Sequence, residues 1–218
     1  MPSLRAWRVR EVTGTVPVLA WAAFHLWEQW AAFAGRDAWS ARMSRTSHGA
    51  LPIAIELAAG VLPVLVWMAL DVGLRRRGHH EPDDLRMATA EDPESARRLG
   101  LLARASSWIF MLFVLYHASW LWLPKLLEGS EPLRTWTVLR GGLGAWPHAI
   151  AHAVGLTSFA VHTGASVPRL AIVLGWVSEP ESRRAARLSA LIVAAGLLLL
   201  YAQLAGWHAA GRGTIWSM

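Results

Sequence analysis

Residues Ser106 to Leu123 read SSWIFMLFVLYHASWLWL, an almost wholly apolar run with His117 about two thirds of the way along it. A run of this length and composition predicts a membrane-spanning helix, because roughly 20 helical residues cross the hydrocarbon core of a bilayer. An imidazole inside such a helix is energetically costly unless another polar group satisfies it. We therefore expect His117 to face a partner inside the protein.

The remaining apolar residues fall into four further blocks of similar length. The chain has 218 residues, of which 54% are hydrophobic. With the opening run, the blocks cover residues 14–34, 50–73, 104–124, 147–175 and 187–208. The sequence predicts an all-α integral membrane protein in which residues 1–218 form a single domain, a bundle of five transmembrane helices. A short outer loop is expected at 36–50, the longest inner loop at 75–91, and an outer loop with a turn and a short interfacial piece at 124–146.

The positively charged residues are distributed unequally between the ends of these spans. If the N-terminus is inside, 14 of the 21 Lys and Arg residues lie in cytoplasmic segments. Because Lys and Arg accumulate on the cytoplasmic side, we expect a cytoplasmic N-terminus and an outer C-terminus. The predicted location is the inner (cytoplasmic) membrane, with multiple passes. Arginines at helix ends, rather than on one soluble face, predict contact with membrane lipid and no nucleic-acid partner.

Two local features predict where helices begin and bend. EDPESARR, before span three, predicts a helix start with Asp92 as the cap and Pro93 as the first helical residue. The similar EPESRR precedes span five, so both helices are expected to begin before the membrane. Pro63 predicts a kink in span two.

The histidines fall at two depths. His25 and His117 each lie roughly 10 to 15 Å from the outer end of their helix at 1.5 Å per residue, which we call the outer level. His162, Trp67 and Met68 lie roughly 22 to 26 Å from that surface, which we call the inner level. The chain has no Cys, so thiolate ligands and covalently attached haem are excluded.

Two imidazoles at matching depth on different helices are typical of a haem iron held from both sides. The alternative is that each ring bonds to a backbone carbonyl or a hydroxyl on a neighbouring helix. His148 and His152, spaced i, i+4 near the outer surface, are interpreted either as proton-exchange or haem-propionate contacts at a quinol site or as interfacial polar residues. A two-His zinc site there lacks a further ligand. Weaker candidates for an outer quinone or propionate environment are Glu28, Glu56, Arg36, Arg45 and His48, while His79, His80 and His208 are expected to face solvent.

Three motifs carry a family resemblance: FHLWEQWAAFAG in span one, FVLYH in span three and VHTGASVPRLAIVLGW in span four. They resemble the five-helix cytochrome b subunit of succinate:quinone oxidoreductases, of the succinate dehydrogenase b558 type. The resemblance implies that His25 and His117 ligate an outer haem and that His162 ligates an inner haem. The family's helix-two histidine falls at Trp67, which cannot ligate iron, or at Met68 after a one-residue shift. Met68 is thus the remaining candidate ligand opposite His162.

The resemblance also implies a function. The cofactor would be haem b, with a single-haem variant as the main expectation and a second haem left open, and the substrate would be menaquinone. The partners would be the iron–sulfur subunit, docked at the cytoplasmic face, and the flavoprotein subunit that it carries. The chain has no flavin, nucleotide or iron–sulfur motif, so its part would be electron transfer rather than succinate oxidation. The alternatives are a haem-free, quinone-binding membrane anchor and an unrelated b-type cytochrome or transporter, although no inverted repeat favours a transporter.

Overall fold

The computed structural model describes residues 2–46, 50–79, 92–128, 138, 143, 145–177 and 180–210. All secondary structure in these residues is helical, as predicted. Most of the predicted inner loop at 75–91 lies outside the described residues. In chain order the elements are α1 (Pro2–Gln29), a 3-10 helix (Trp30–Ala34), α2 (Arg36–Thr46), α3 (Ala50–Glu56), a π-helical turn (Leu57–Val61), α4 (Leu62–Arg76), α5 (Pro93–Glu128), α6 (Trp146–Val173) and α7 (Pro180–Ala210).

Three helical stretches within the described residues are long and apolar enough to cross a membrane. They are Ile53–Arg76, Gly100–Leu121 and Arg184–Gln203. The other two predicted spans lie in α1 and α6, which have 28 residues each. Buried polar side chains lower the apolar character of these two helices, and in α6 they include His152, His162 and Arg169. α1 and α6 therefore place polar groups inside the bundle.

Helix α6 is central to the packing, since it contacts α1, α5 and α7, and α1 in turn contacts α4. Two glycines permit close approach of aromatic rings to a helix backbone. A Cβ at Gly155 would lie 2.2 Å from the ring of Phe113, and a Cβ at Gly14 would lie 2.2 Å from the ring of Trp67. Small residues at helix contacts of this kind are typical of membrane bundles.

The outward faces of α4, α5 and α7 are apolar. Their exposed side chains include Leu65, Leu112, Leu191, Ile192 and Leu199. In a bilayer such side chains meet hydrocarbon, while the backbone polar groups are satisfied within each helix.

The prediction of a loop at 36–50 is wrong for residues 36–46, which form α2. Trp39 and Met43, one helical turn apart, are buried against an apolar cluster that includes Leu121. The indole Nε1 of Trp39 also donates a hydrogen bond to Gln29 Oε1 at 2.9 Å. Gly35, at φ 105°, separates α2 from the preceding 3-10 helix. The apolar contacts of one face therefore stabilise this otherwise polar segment as a helix.

The predicted start of α5 is confirmed. The helix begins at Pro93, and the Glu94 backbone N–H donates to Asp92 Oδ1 at 3.1 Å. The helix continues to Glu128, beyond the predicted end at 124. At Pro63 the chain forms the π-helical turn just before the proline, because Pro63 has no N–H for the i−4 carbonyl and its ring crowds that carbonyl.

Candidate functional site

A cavity of about 100 Å³ lies between α1, α5, α6 and α7. Its walls are mainly apolar and aromatic, with side chains from Phe110, Phe113, Val114, Leu156 and Phe159. The polar side chains that line it are His25, Gln29, His117, His152 and Tyr201. Mainly apolar walls with a few polar side chains are typical of the sites at which proteins bind cofactors and small ligands.

The outer-level histidines meet in this cavity. The ring centroids of His25 and His117 are 6.1 Å apart, with an angle of 83° between the ring planes. The prediction that they lie at one depth on facing helices is confirmed. Two imidazoles that bind one metal ion through bonds of about 2 Å have ring centroids about 6 Å apart. By this distance, His25 and His117 could both bind one metal ion placed between them.

The ring of His25 is held from three sides. It stacks on Trp21 at 5.0 Å and on Tyr201 at 6.4 Å, measured between ring centroids. Its Nδ1 lies 3.9 Å from Oε2 of Glu28, whose side chain is buried. The Tyr201 hydroxyl donates to the carbonyl of Ala22 at 2.7 Å, which fixes the tyrosine ring. A carboxylate beside one nitrogen of a metal-binding histidine commonly orients the other nitrogen toward the metal.

The ring of His117 contacts His152, which the sequence left open as either a proton-exchange or haem-propionate contact or an interfacial polar residue. His117 Nδ1 lies 3.1 Å from Nε2 of His152, and His152 Nδ1 lies 2.7 Å from the backbone carbonyl of His148. Beyond this carbonyl, the His148 ring bonds to the Tyr116 hydroxyl. The sequence feature that could have predicted this contact is the depth of His152. It lies five residues beyond Pro147, which is about 7.5 Å along the helix and close to the depth of His117.

At the inner level His162 is buried and bonded to protein groups. Its Nε2–H donates to the carbonyl of Gly14 at 3.3 Å, and its Nδ1 lies 2.8 Å from Ser107 Oγ and 3.3 Å from Ser166 Oγ. These bonds join α1, α5 and α6. They correspond to the alternative, in which an intramembrane histidine bonds to a carbonyl and a hydroxyl on neighbouring helices.

Trp67, and not Met68, is the α4 residue whose side chain lies against His162. The ring centroids of Trp67 and His162 are 6.5 Å apart, so the predicted inner level is confirmed for this pair. Met68 is half-buried at the edge of the apolar cluster that contains Phe110. Successive helical residues point about 100° apart. The Trp67 indole lies against His162, and the pairing of Met68 with His162 stays a prediction.

A buried ion-pair network lies next to Trp67, and the sequence analysis did not find it. Asp71 accepts hydrogen bonds from Arg10 Nε at 2.9 Å, from Arg75 Nε at 3.0 Å and from Trp108 Nε1 at 3.2 Å. The Arg10 guanidinium lies 4.7 Å from the centroid of the Trp67 ring. The available signal was an acidic residue within span two, since ionisable groups inside spans are rare and need partners.

The other sequence candidates lie away from the cavity. Glu56 is buried on α3, Arg36 pairs with Asp37 at the surface at 3.3 Å, and Arg45 and His79 are exposed. Of those that the structure describes, none lines the cavity. His48 and His80 lie outside the described residues, and His208 lies within α7.

Within the described ranges, no group of three or more His, Asp or Glu side chains is arranged to hold a metal ion. A haem needs only two protein ligands, so the donor set at the outer level suits haem better than a bare metal ion. Comparisons of the chain with models of protein families, with curated proteins and with solved structures gave no match.

Proposed function

We propose that the chain is a b-type cytochrome subunit of a membrane complex, with one haem b bound between His25 and His117. The observation that carries this proposal is the pair of imidazoles on different helices, with ring centroids 6.1 Å apart, that line one mainly apolar cavity. The haem iron, when bound, accepts and releases one electron at a time. The chain supplies the two ligands, an apolar wall that excludes water, and neighbours that hold each ring.

One haem per chain is the stoichiometry that the packing favours. At the inner level the Trp67 indole lies where a second axial ligand would be needed, and both nitrogens of His162 have protein partners. The space beside His162 is small, and several arginines and Glu11 border it. His162 on this proposal ties three helices together instead of binding iron.

The complex is proposed from the resemblance of the three sequence motifs. On that basis the chain is the membrane anchor of a succinate:quinone oxidoreductase. It docks the iron–sulfur subunit, with its flavoprotein, at the cytoplasmic face and passes electrons between that subunit and menaquinone. The proposed location is the inner (cytoplasmic) membrane.

Five spans, with the N-terminus inside, are proposed for the membrane topology. α6 packs against α5 and α7, both of which contain a stretch able to cross a membrane, and α1 packs against α4, which contains another. On this proposal α1 and α6, each of 28 residues, lie in the membrane beside these neighbours. Because their polar side chains face inward, α1 and α6 can cross despite their composition.

Haem stoichiometry tests the proposal directly. We expect the purified chain to contain one haem b, with the spectrum of a low-spin iron that has two histidine ligands. In native membranes succinate should reduce this haem. Two haems per chain would overturn the single-site proposal. A colourless chain that haem cannot reconstitute would favour the haem-free anchor, and a haem that dithionite but not succinate reduces would favour an unrelated b-type cytochrome.

The topology is tested separately with alkaline phosphatase fusions, which are active only outside the cytoplasm. We expect activity for fusions after Thr46 and after the C-terminal residue, and no activity for a fusion after Gly78. An inactive C-terminal fusion would contradict an odd number of spans.

A further inference from the structure

The hydrogen bonds of His152 define where the protons of two imidazoles lie. The backbone carbonyl of His148 can only accept, so His152 Nδ1, at 2.7 Å from it, carries a proton and donates. In a neutral imidazole only one nitrogen carries a proton. His152 Nε2 is therefore an acceptor, and it lies 3.1 Å from His117 Nδ1.

The same reasoning extends to His117. Since His152 Nε2 accepts, His117 Nδ1 carries the proton and donates to it. The lone pair of the His117 ring is then on Nε2. A backbone carbonyl on α6 thus sets the tautomer of a ring on α5 through one intervening side chain.

His152 is built into the helix packing in a way that fixes its ring. It is 7% exposed, and its ring makes edge contacts with Phe113 at 5.2 Å and with Trp120 at 5.6 Å between centroids. Phe113 itself lies against the backbone at Gly155, which brings α5 and α6 together at this level. The acceptor nitrogen therefore has a defined position relative to His117.

We propose that His152 is a positioning residue for the axial ligand His117, an inference that rests on the proposed haem site. It holds His117 in the tautomer that presents Nε2 to the iron, and its acceptor nitrogen raises the electron-donating power of the ring. A hydrogen bond from the second nitrogen of a metal-bound histidine has both effects in metalloproteins. The neighbour of His25 is a carboxylate and not an imidazole: His25 Nδ1 lies 3.9 Å from a carboxylate oxygen of Glu28.

The tautomer can be measured without haem. In the full chain, labelled with ¹⁵N-histidine and reconstituted in lipid without haem, solid-state NMR distinguishes the protonated nitrogen of each ring. The His117 signal is assigned by its loss in His117→Gln. We expect the proton of His117 on Nδ1. A proton on Nε2 would overturn the proposal.

The redox potential of the loaded protein gives a second readout. In His152→Phe the acceptor is lost, so ferrous haem is favoured and the ratio of ferrous to ferric haem at a fixed potential rises about tenfold, which is about 59 mV for one electron. Haem affinity falls by at least roughly tenfold, as for other substitutions of such partners. In His152→Gln the side-chain carbonyl can accept from His117, and we expect the wild-type potential and affinity.

The comparison of these two variants decides the role of His152. Retention of haem and potential by His152→Gln together with their change in His152→Phe supports it. Unchanged potentials in both variants, or loss of haem from both, would overturn it. Tyr116→Phe is the control, since it removes a bond to the His148 ring but leaves the His148 carbonyl, and its potential should equal that of the wild type.

The outcomes also separate this inference from the proposed function. A wild-type chain that binds no haem overturns the haem site, and the NMR measurement still establishes where the His117 proton lies. A wild-type chain that binds one haem while both His152 variants keep its potential overturns the positioning role alone.

Discussion

At the outer level His25 and His117 line a mainly apolar cavity of about 100 Å³, whereas at the inner level the Trp67 indole lies directly beside His162. Both levels contain histidines, aromatic rings and a glycine that permits close packing. They differ in the side chain that faces the histidine. At the outer level His117 of α5 faces the imidazole of His25, and an apolar space remains beside the two rings. At the inner level His162 of α6 faces the indole of Trp67, which fills the space together with the neighbouring ion-pair network.

This difference shows how a histidine inside a helix bundle can serve two purposes. At the inner level, His162 uses its nitrogens to join helices through Gly14 and Ser107. At the outer level, His117 uses one nitrogen for His152, and its ring lines the cavity. Depth in the bundle alone does not distinguish these roles, because the neighbours on the facing helix determine them.

The largest expected effect is a difference in haem content between two variants, each of which lacks one histidine, from the outer or from the inner level. In His117→Ala we expect complete loss of haem, because one of two axial ligands is gone, and His25→Ala should have the same result. In His162→Ala we expect one haem per chain with an unchanged absorption spectrum. Haem content per purified protein and the visible spectrum are the measurements. Loss of haem from His162→Ala, with its retention in His117→Ala, would reverse the assignment of the levels.

The two glycines provide a matched pair for the next comparison. An added Cβ at Gly155 meets the Phe113 ring at 2.2 Å, and one at Gly14 meets the Trp67 ring at 2.2 Å. Phe113 borders the cavity, so in Gly155→Ala we expect its ring to move toward the proposed haem site. Overpacking costs about 1–3 kcal/mol. Haem should oppose this shift, and the affinity for haem should therefore fall by roughly tenfold.

Gly14→Ala is the control for that experiment. The same methyl group is added inside a helix, so the gain in helix propensity of about 1 kcal/mol is common to both variants. Its clash with Trp67 lies at the inner level, and haem affinity, measured by titration of the haem-free chain, should stay at the wild-type value. Equal affinities in the two glycine variants would show that the Phe113 wall does not shape the haem site.

The ion-pair network predicts an effect on stability without an effect on haem. Asp71→Ala removes one of the two carboxylates that pair with the buried Arg10, the other being Glu11, and leaves the Trp108 indole N–H without its acceptor. We expect a loss of about 1–3 kcal/mol of unfolding free energy. Unfolding in mixed micelles of mild detergent and dodecyl sulfate measures this quantity. Asp37→Ala, at an exposed pair with Arg36, is the control and should unfold as the wild type does. A fall in haem content of Asp71→Ala at equal folded fraction would contradict the separation of the levels.

Several features could be predicted from local sequence alone. The helical class follows from apolar blocks, the start of α5 from Asp92 and Pro93, and the meeting of His25 with His117 from helix rise. These depend on residues close together in sequence or on depth along one axis. The haem itself remains a proposal, as do the five spans and the partner subunits.

Other features depend on the rotation of each helix about its axis, which depth does not give. The contact of Trp67 with Gly14, the bond between His117 and His152 and the pairing of Arg10 with Asp71 are of this kind. Arg10 and Asp71 are 61 residues apart in sequence. The proposal of Met68 as a ligand depends on the same rotation, because one residue along α4 changes direction by about 100°.

The smallest expected effect comes from Trp67→His, which adds a second imidazole at the inner level, next to His162. If the absence of a ligand alone prevented a second haem, this variant would bind two. We expect it to bind one, because Phe110 still stacks on His162 at 5.7 Å and the His162 nitrogens keep their bonds to Gly14 and Ser107. The space vacated by one indole is also far smaller than a porphyrin. A second haem, counted by stoichiometry in the purified variant, would show that the levels differ by a single side chain.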